Sequence, residues 1–158
     1  MTEVVATNQT ILVVGGGISG MTAALEAAEC GKQVVLVEKS PTLGGRTSLL
    51  YRYFPKLCHP ICGLEINQRR IKNNRNIRVL TLAEVGAISG KRGDYTATVK
   101  ISPRYVNESC TACQDCEKVC PVKVPGSFDL GLKQRTAIHK AFPQAVPNTY
   151  LIDHPLRR

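Results

Sequence analysis

A chain of 158 residues, 43% of them hydrophobic, can bury one core or one core with a small metal-stapled appendage, and is too short for a large enzyme. The formal charge of +9 raises nucleic-acid binding. The cations, however, are not interleaved with aromatic rings, and part of the excess lies in one tract, QRRIKNNRNIR, with Arg69, Arg70, Lys72, Arg75 and Arg78.

That tract is expected to be a solvated or partner-docking face, with no nucleic-acid partner. Seven cysteines without a secretory signal pattern lead to the expectation of a reducing compartment, the cytoplasm, where clustered thiols are metal or redox ligands. The longest apolar runs, QTILVV and QVVLVE, fall far short of the ~20 residues that cross a bilayer, so any membrane role passes through a partner.

Residues 11–14 (ILVV) and 34–37 (VVLV) are short continuous apolar runs, expected to be strands buried on both faces. Between them ISGMTAALEAAECGK is alanine-rich and stops at Gly31, as a helix with a glycine C-cap does. Cys30, at the end of that helix, is expected to be a small core residue. Strand, helix, strand makes a parallel, right-handed βαβ unit. The Pro- and Gly-rich stretch 41–63 follows as an ordered loop. GLEINQRRIKNN is then expected to be a short helix with Leu64, Ile66 and Ile71 on one side. IRVLTLAEVGAIS and DYTATVKI, the second alternating at Tyr95, Ala97, Val99 and Ile101, form an antiparallel hairpin around SGKRGD. Residues 103–125 are a cysteine appendage, and 126–158, with Pro143, Pro147 and Pro155, are a wrapping or connecting tail.

The first strand opens into G-x-G-x-x-G at Gly15, Gly17 and Gly20. The first glycine permits a tight turn, the second admits a pyrophosphate close to the backbone, and the third lets helix and strand pack; the helix N-terminus stabilises the phosphate charge. Glu38 ends the second strand, where a carboxylate accepts hydrogen bonds from a ribose 2′-hydroxyl and repels a 2′-phosphate. NAD and FAD share this fingerprint. EKSPTLGGR, with Gly44, Gly45 and Arg46, resembles the flavoprotein pattern in which a second glycine pair and an arginine close over the flavin nucleotide, so FAD leads over NAD.

ESCTACQDCEKVCP carries C-x2-C-x2-C-x3-C-P at Cys110, Cys113, Cys116, Cys120 and Pro121. Such short spacers wrap the backbone around a [4Fe-4S] cubane so that thiolates and amide donors converge. Zinc sites favour two knuckles separated by a longer spacer. Cys120 is ambiguous, because in two-cluster proteins the fourth cysteine of such a run ligates the other cluster. Either all four bind one cluster, or Cys58 or Cys62 from LCHPICG completes the site, or a second run lies elsewhere, which is the most economical solution. Cys58 and Cys62 are further candidates for ligation or for thiol redox chemistry beside a flavin. His59 is expected to be an exposed or hydrogen-bonded histidine, and His139 and His154 show no partner spacing.

With EKSPTLGGR, FPKLCHPICGLEI, PRYVNESCTACQDCEKVCP and AFPQAVPNTYLID together, the sequence resembles the heterodisulfide reductase A-subunit family, including its relative in the quinone-interacting membrane-bound oxidoreductase complex. The resemblance implies an FAD- and cluster-containing cytoplasmic subunit that relays electrons among other iron–sulfur or flavin subunits. It implies FAD contacts at Gly15, Gly17, Gly20, Glu38, Lys39, Gly45 and Arg46, and cluster ligands at Cys110, Cys113, Cys116 and Cys120. Family members run on beyond YLID into a second cysteine run and the closing part of the flavin domain, so the expectation is an N-terminal fragment or a split subunit. The expected fold is α/β: a Rossmann-like FAD-binding βαβ domain with a β-hairpin over 1–102, a small ferredoxin-like [4Fe-4S] insertion over 103–125, and a tail over 126–158. The alternatives are a thiol–disulfide flavoprotein using Cys58 and Cys62, and a non-catalytic metal-binding adaptor with a basic partner surface.

Overall fold

A computed structural model describes residues 10–152. The two apolar runs form β1 (Ile11–Val14) and β2 (Val34–Val37), paired in parallel from Ile11 opposite Val34 to Val14 opposite Val37. Parallel neighbours need a crossover, and α1 (Ile18–Glu29) supplies it. Its apolar stripe, Met21, Ala24, Leu25 and Ala28, repeats at three and four residues and is buried. Burying Met21 or Leu25 contributes roughly 1.5–3 kcal/mol each. The helix stops where Gly31 takes a positive φ of 78°, its amide donating to the Ala28 carbonyl at 3.0 Å while the Lys32 amide donates to Ala27.

Two expectations are corrected here. Cys30 is the C-cap of α1 and is exposed, because it lies past the buried stripe rather than on it. Of the two strands expected to be buried on both faces, only β2 is mostly covered; in β1, Val14 is 62% exposed. The reason is topological, since β2 is the centre of a three-stranded sheet ordered β1-β2-β3 and β1 is an edge.

Helix α2 (Ile61–Asn73) buries Leu64, Gln68 and Ile71, whereas Ile66 is 63% exposed. Positions 64, 68 and 71 follow helical spacing, while Ile66 is two residues from Leu64 and so faces the opposite side. Arg70 of α2 pairs with Glu29 of α1, and Arg69 pairs with Glu65, so the basic tract is partly neutralised.

The stretch expected to be one hairpin strand divides into two. β3 (Ile77–Leu80) joins the parallel sheet beside β2, and β4 (Ala83–Lys91) pairs antiparallel with β5 (Asp94–Ile101). The break lies at Leu82, whose φ is 54° and whose amide donates to the Ser40 carbonyl. The hairpin is a two-stranded ribbon with a bulge between Val85 and Ala87. Only Ala97 and Val99 of the alternating set are half-buried, because a lone ribbon has no layer over its faces.

Residues up to Ser102 form one compact unit and those from Pro103 a second. In the second unit α3 (Asp115–Val119) lies inside the cysteine run, followed by β6 (Lys123–Pro125), β7 (Gln134–Thr136), β8 (Ile138–His139) and β9 (Leu151–Ile152). β6 pairs with β7 and β8 with β9, both antiparallel. Residues 126–152, expected as a connecting tail, lie in the same compact unit as Cys110, Cys113, Cys116 and Cys120. They supply its buried Ala137, Ala145, Tyr150 and Leu151. Among the described residues no helix is long and apolar enough to cross a membrane.

Candidate functional site

The turn between β1 and α1 is built by backbone geometry. Gly15 has φ 103°, a conformation that a Cβ disfavours, and its amide donates to Val37 at 2.7 Å, tying the turn to the end of β2. A Cβ on Gly20 would overlap the carbonyl oxygen of Gly15, so helix and strand pack this closely only with glycine there. At Gly17, by contrast, a Cβ would meet nothing within 4 Å. Gly17 is the N-cap of α1, with no side chain capping the helix. The first turn of α1 thus has amide donors beside open space, which is the cradle a phosphate fits.

Glu38 is buried and both its oxygens are engaged. Oε2 accepts the Gly16 amide at 2.5 Å and Oε1 accepts the Ser40 amide at 2.7 Å. Expected as a ribose acceptor, the carboxylate is seen here as the anchor of the glycine turn; each oxygen keeps a lone pair for a further donor. Lys39, one residue on, points to solvent and pairs with Glu84 at 2.9 Å.

The second glycine pair meets the first. Gly44 donates its amide to the Gly16 carbonyl at 2.8 Å, and a Cβ on Gly45 would stand 3.0 Å from the Cα of Gly17. Arg46, in the 3₁₀ turn Gly45–Leu49, is exposed and has no hydrogen-bond or ion-pair partner among the described residues. The buried Gln68 of α2 steadies this loop by donating Nε2 to the Leu43 carbonyl at 3.4 Å, and its Oε1 is unpartnered. Gly16 and Gln68 were not singled out from the sequence. The triple glycine could have signalled Gly16, whereas Gln68 lies among apolar helix positions with no motif around it.

In LCHPICG, Cys58 is bridged to Tyr53 by backbone pairing, Cys62 sits in the first turn of α2, and both are free thiols. His59 is exposed, its Nδ1 accepting the Ile61 amide at 3.4 Å. His139 is buried beside the Ala137 carbonyl, and His154 lies outside the described residues.

In the second unit the chain turns sharply on each side of Cys113, where Ala112 and Gln114 adopt left-handed φ of 59° and 73°. α3 then carries Cys116, and Cys120 is its C-cap. Backbone hydrogen bonding from Ile138 holds the Cys120 thiol below its ordinary pKa; partial burial opposes this, and Val122, Ala137 and the charge of Lys123 reinforce it. Cys110 and Cys116 both act electrostatically on the Tyr150 hydroxyl. Burial holds that phenol above its ordinary range, aided by a hydrogen bond to Glu117 and the charges of Glu117, Cys116 and Cys110. Burial likewise lowers the pKa of the Arg104 guanidinium, against the favourable charge of Cys110. Among the described residues no group of three or more His, Cys, Asp or Glu is assembled that could hold a single metal ion. The all-thiolate donor set, with amides around its last sulfur, fits the chemistry of an iron–sulfur cluster.

Residues 10–117 match the family of FAD dependent oxidoreductases. The chain belongs to that family. It is 46% identical over 142 residues to an iron–sulfur A subunit of the CoB–CoM heterodisulfide reductase of Methanopyrus kandleri, covering 89% of this chain and 22% of that protein. It is 41% identical over 152 residues to the corresponding protein of Methanocaldococcus jannaschii, covering 96% of this chain and 23% of that protein. The resemblance to heterodisulfide reductase A subunits and the Rossmann-like FAD-oxidoreductase fold are thus borne out. The chain spans less than a quarter of the length of these relatives.

Proposed function

We propose that this FAD oxidoreductase family member is an electron-transfer component of a heterodisulfide reductase-like complex, binding the adenylate side of FAD in its first unit and a [4Fe-4S] cluster in its second. The observation that carries this reading is the conjunction, in one chain, of an uncapped helix N-terminus beside the Glu38 anchor and a four-cysteine run. When bound, FAD supplies two-electron exchange and the cluster one-electron transfer.

The protein's part is positioning. The first-turn amides of α1 and the open face of Gly17 receive the pyrophosphate, and the unpartnered Arg46 offsets its charge. Gly15 and Gly20 keep strand and helix close enough for that turn, and Gly45 brings the second loop against Gly17. The lone pairs of Glu38 left over from Gly16 and Ser40 accept ribose hydroxyls and disfavour a 2′-phosphate. Lys39 stays at the rim, shared with Glu84. Cys110, Cys113, Cys116 and Cys120 hold the cluster, with the donors around Cys120 favouring its thiolate.

The partners are other iron–sulfur or flavin subunits in the cytoplasm, with no nucleic acid and with any membrane reached through a partner. A visible spectrum of the anaerobically purified chain tests the reading. Flavin bands over a broad iron–sulfur shoulder are expected. Flavin alone would favour a thiol–disulfide flavoprotein using Cys58 and Cys62, and a colourless zinc-containing protein would favour a metal-binding adaptor.

A further inference from the structure

Two carboxylates lie within the cysteine run, and the structure treats them differently. Asp115 is exposed and pairs with Lys118 at 3.0 Å, so its charge is offset at the surface. Glu117 is half-buried, directly follows Cys116, and accepts the Tyr150 hydroxyl on Oε2 at 2.7 Å. Tyr150 comes from the far end of the unit, where its side chain is only 2% exposed. The ring is buried, and its single donor is committed to Glu117. The same hydroxyl lies within electrostatic reach of Cys110 and Cys116. Among the other charged residues near the run, the half-buried Arg104 interacts electrostatically with Cys110 and Lys123 with Cys120, and the exposed Glu108 stands two residues before Cys110.

We infer that Tyr150 and Glu117 form a positioning pair that sets the reduction potential of the cluster held by this run: the tyrosine fixes the carboxylate next to Cys116, and its negative charge keeps the potential low. The inference rests on Cys110, Cys113, Cys116 and Cys120 being cluster ligands. The physical reason is that reduction adds an electron, and a fixed anion in a poorly screened position opposes added negative charge more than a solvated one does. Groups outside the ligand set tune a cluster through such charges and hydrogen bonds. Arg104 acts in the opposite sense from the Cys110 side.

The test uses the full chain, reconstituted anaerobically with iron and sulfide, as wild type, Glu117→Gln, Tyr150→Phe, the double variant and Asp115→Asn. Iron and sulfide content and the one-electron midpoint potential are measured for each. Glu117→Gln is expected to load fully and to shift the oxidised-to-reduced balance about tenfold toward the reduced form, ~59 mV more positive for one electron. Tyr150→Phe, which frees the carboxylate to turn to water, shifts it the same way by less, and the double variant matches Glu117→Gln. Asp115→Asn leaves the midpoint in place. A loaded Glu117→Gln protein with the wild-type midpoint overturns the inference, as does a Tyr150→Phe shift that persists in full on the Glu117→Gln background. Should Tyr150→Phe fail to fold, Glu117→Gln against Asp115→Asn decides alone. A wild-type chain that takes up no iron or sulfide overturns the cluster reading itself, and the inference with it.

Discussion

Glu38 and Gly16 are joined by a hydrogen bond of 2.5 Å that links the end of the second strand to the turn after the first. The carboxylate proposed to accept the ribose is thus also what shapes the glycine turn, because its other oxygen holds the Ser40 amide at 2.7 Å.

Glu38→Gln should therefore weaken the fold as well as FAD binding. The amide keeps one acceptor oxygen and turns an NH2 group toward one of two backbone donors, a loss of about 1–3 kcal/mol for a buried unsatisfied group. FAD affinity, followed by flavin fluorescence quenching, should fall about tenfold or more. A variant with wild-type melting temperature and wild-type affinity would show that the carboxylate does neither job.

Two alanine substitutions in the same turn should separate packing from binding. Gly20→Ala drives a methyl into the Gly15 carbonyl and should cost about 1–3 kcal/mol, seen as a lower melting temperature. Gly17→Ala meets open space, so its melting temperature should change little while FAD binding weakens, the methyl entering the space proposed for the phosphate. If the two variants lose stability and affinity in the same proportion, the open face at Gly17 is not the phosphate site.

The faces of α2 give a second contrast. Ile71→Ala removes a buried side chain and should destabilise by about 2–5 kcal/mol, whereas Ile66→Ala, on the exposed face, should stay within about 0.5 kcal/mol. Equal denaturation midpoints for the two variants would contradict the helix orientation.

Cys120 should be alkylated at lower pH than a free cysteine, whose pKa is about 8.5, in protein without a cluster. Its folded-state pKa is depressed, so its contribution to stability is present above the unfolded value and is lost as pH falls through the folded one. Iodoacetamide labelling read by mass spectrometry across pH gives the midpoint. A midpoint at or above that of free cysteine would remove the backbone donors of Ile138 and its neighbours from the account.

Much of this was legible in the order of residues. ILVV and VVLV flanking an alanine-rich segment specify a βαβ crossover because continuous apolar runs, helical spacing and a glycine stop are local signals. Gly15, Gly17 and Gly20 declare a turn, a clear face and a close approach for the same reason, and the spacing of Cys110 to Cys120 is the local pattern from which a cluster is proposed. What the chain order could not convey were relations that arise only when distant segments meet. Ile66 and Gln68 exchange places as exposed and buried because a helix face is chosen by what packs against it. β1 is less covered than its apolar residues suggest because it lies at an edge. β3 separates from β4 because the chain must cross the end of β2. Glu117 gains its partner because Tyr150, 33 residues later, is buried with its hydroxyl against it. Local propensity and spacing were determined by sequence; burial, pairing and the surroundings of each charge were decided by tertiary structure, since those depend on neighbours that sequence separation conceals.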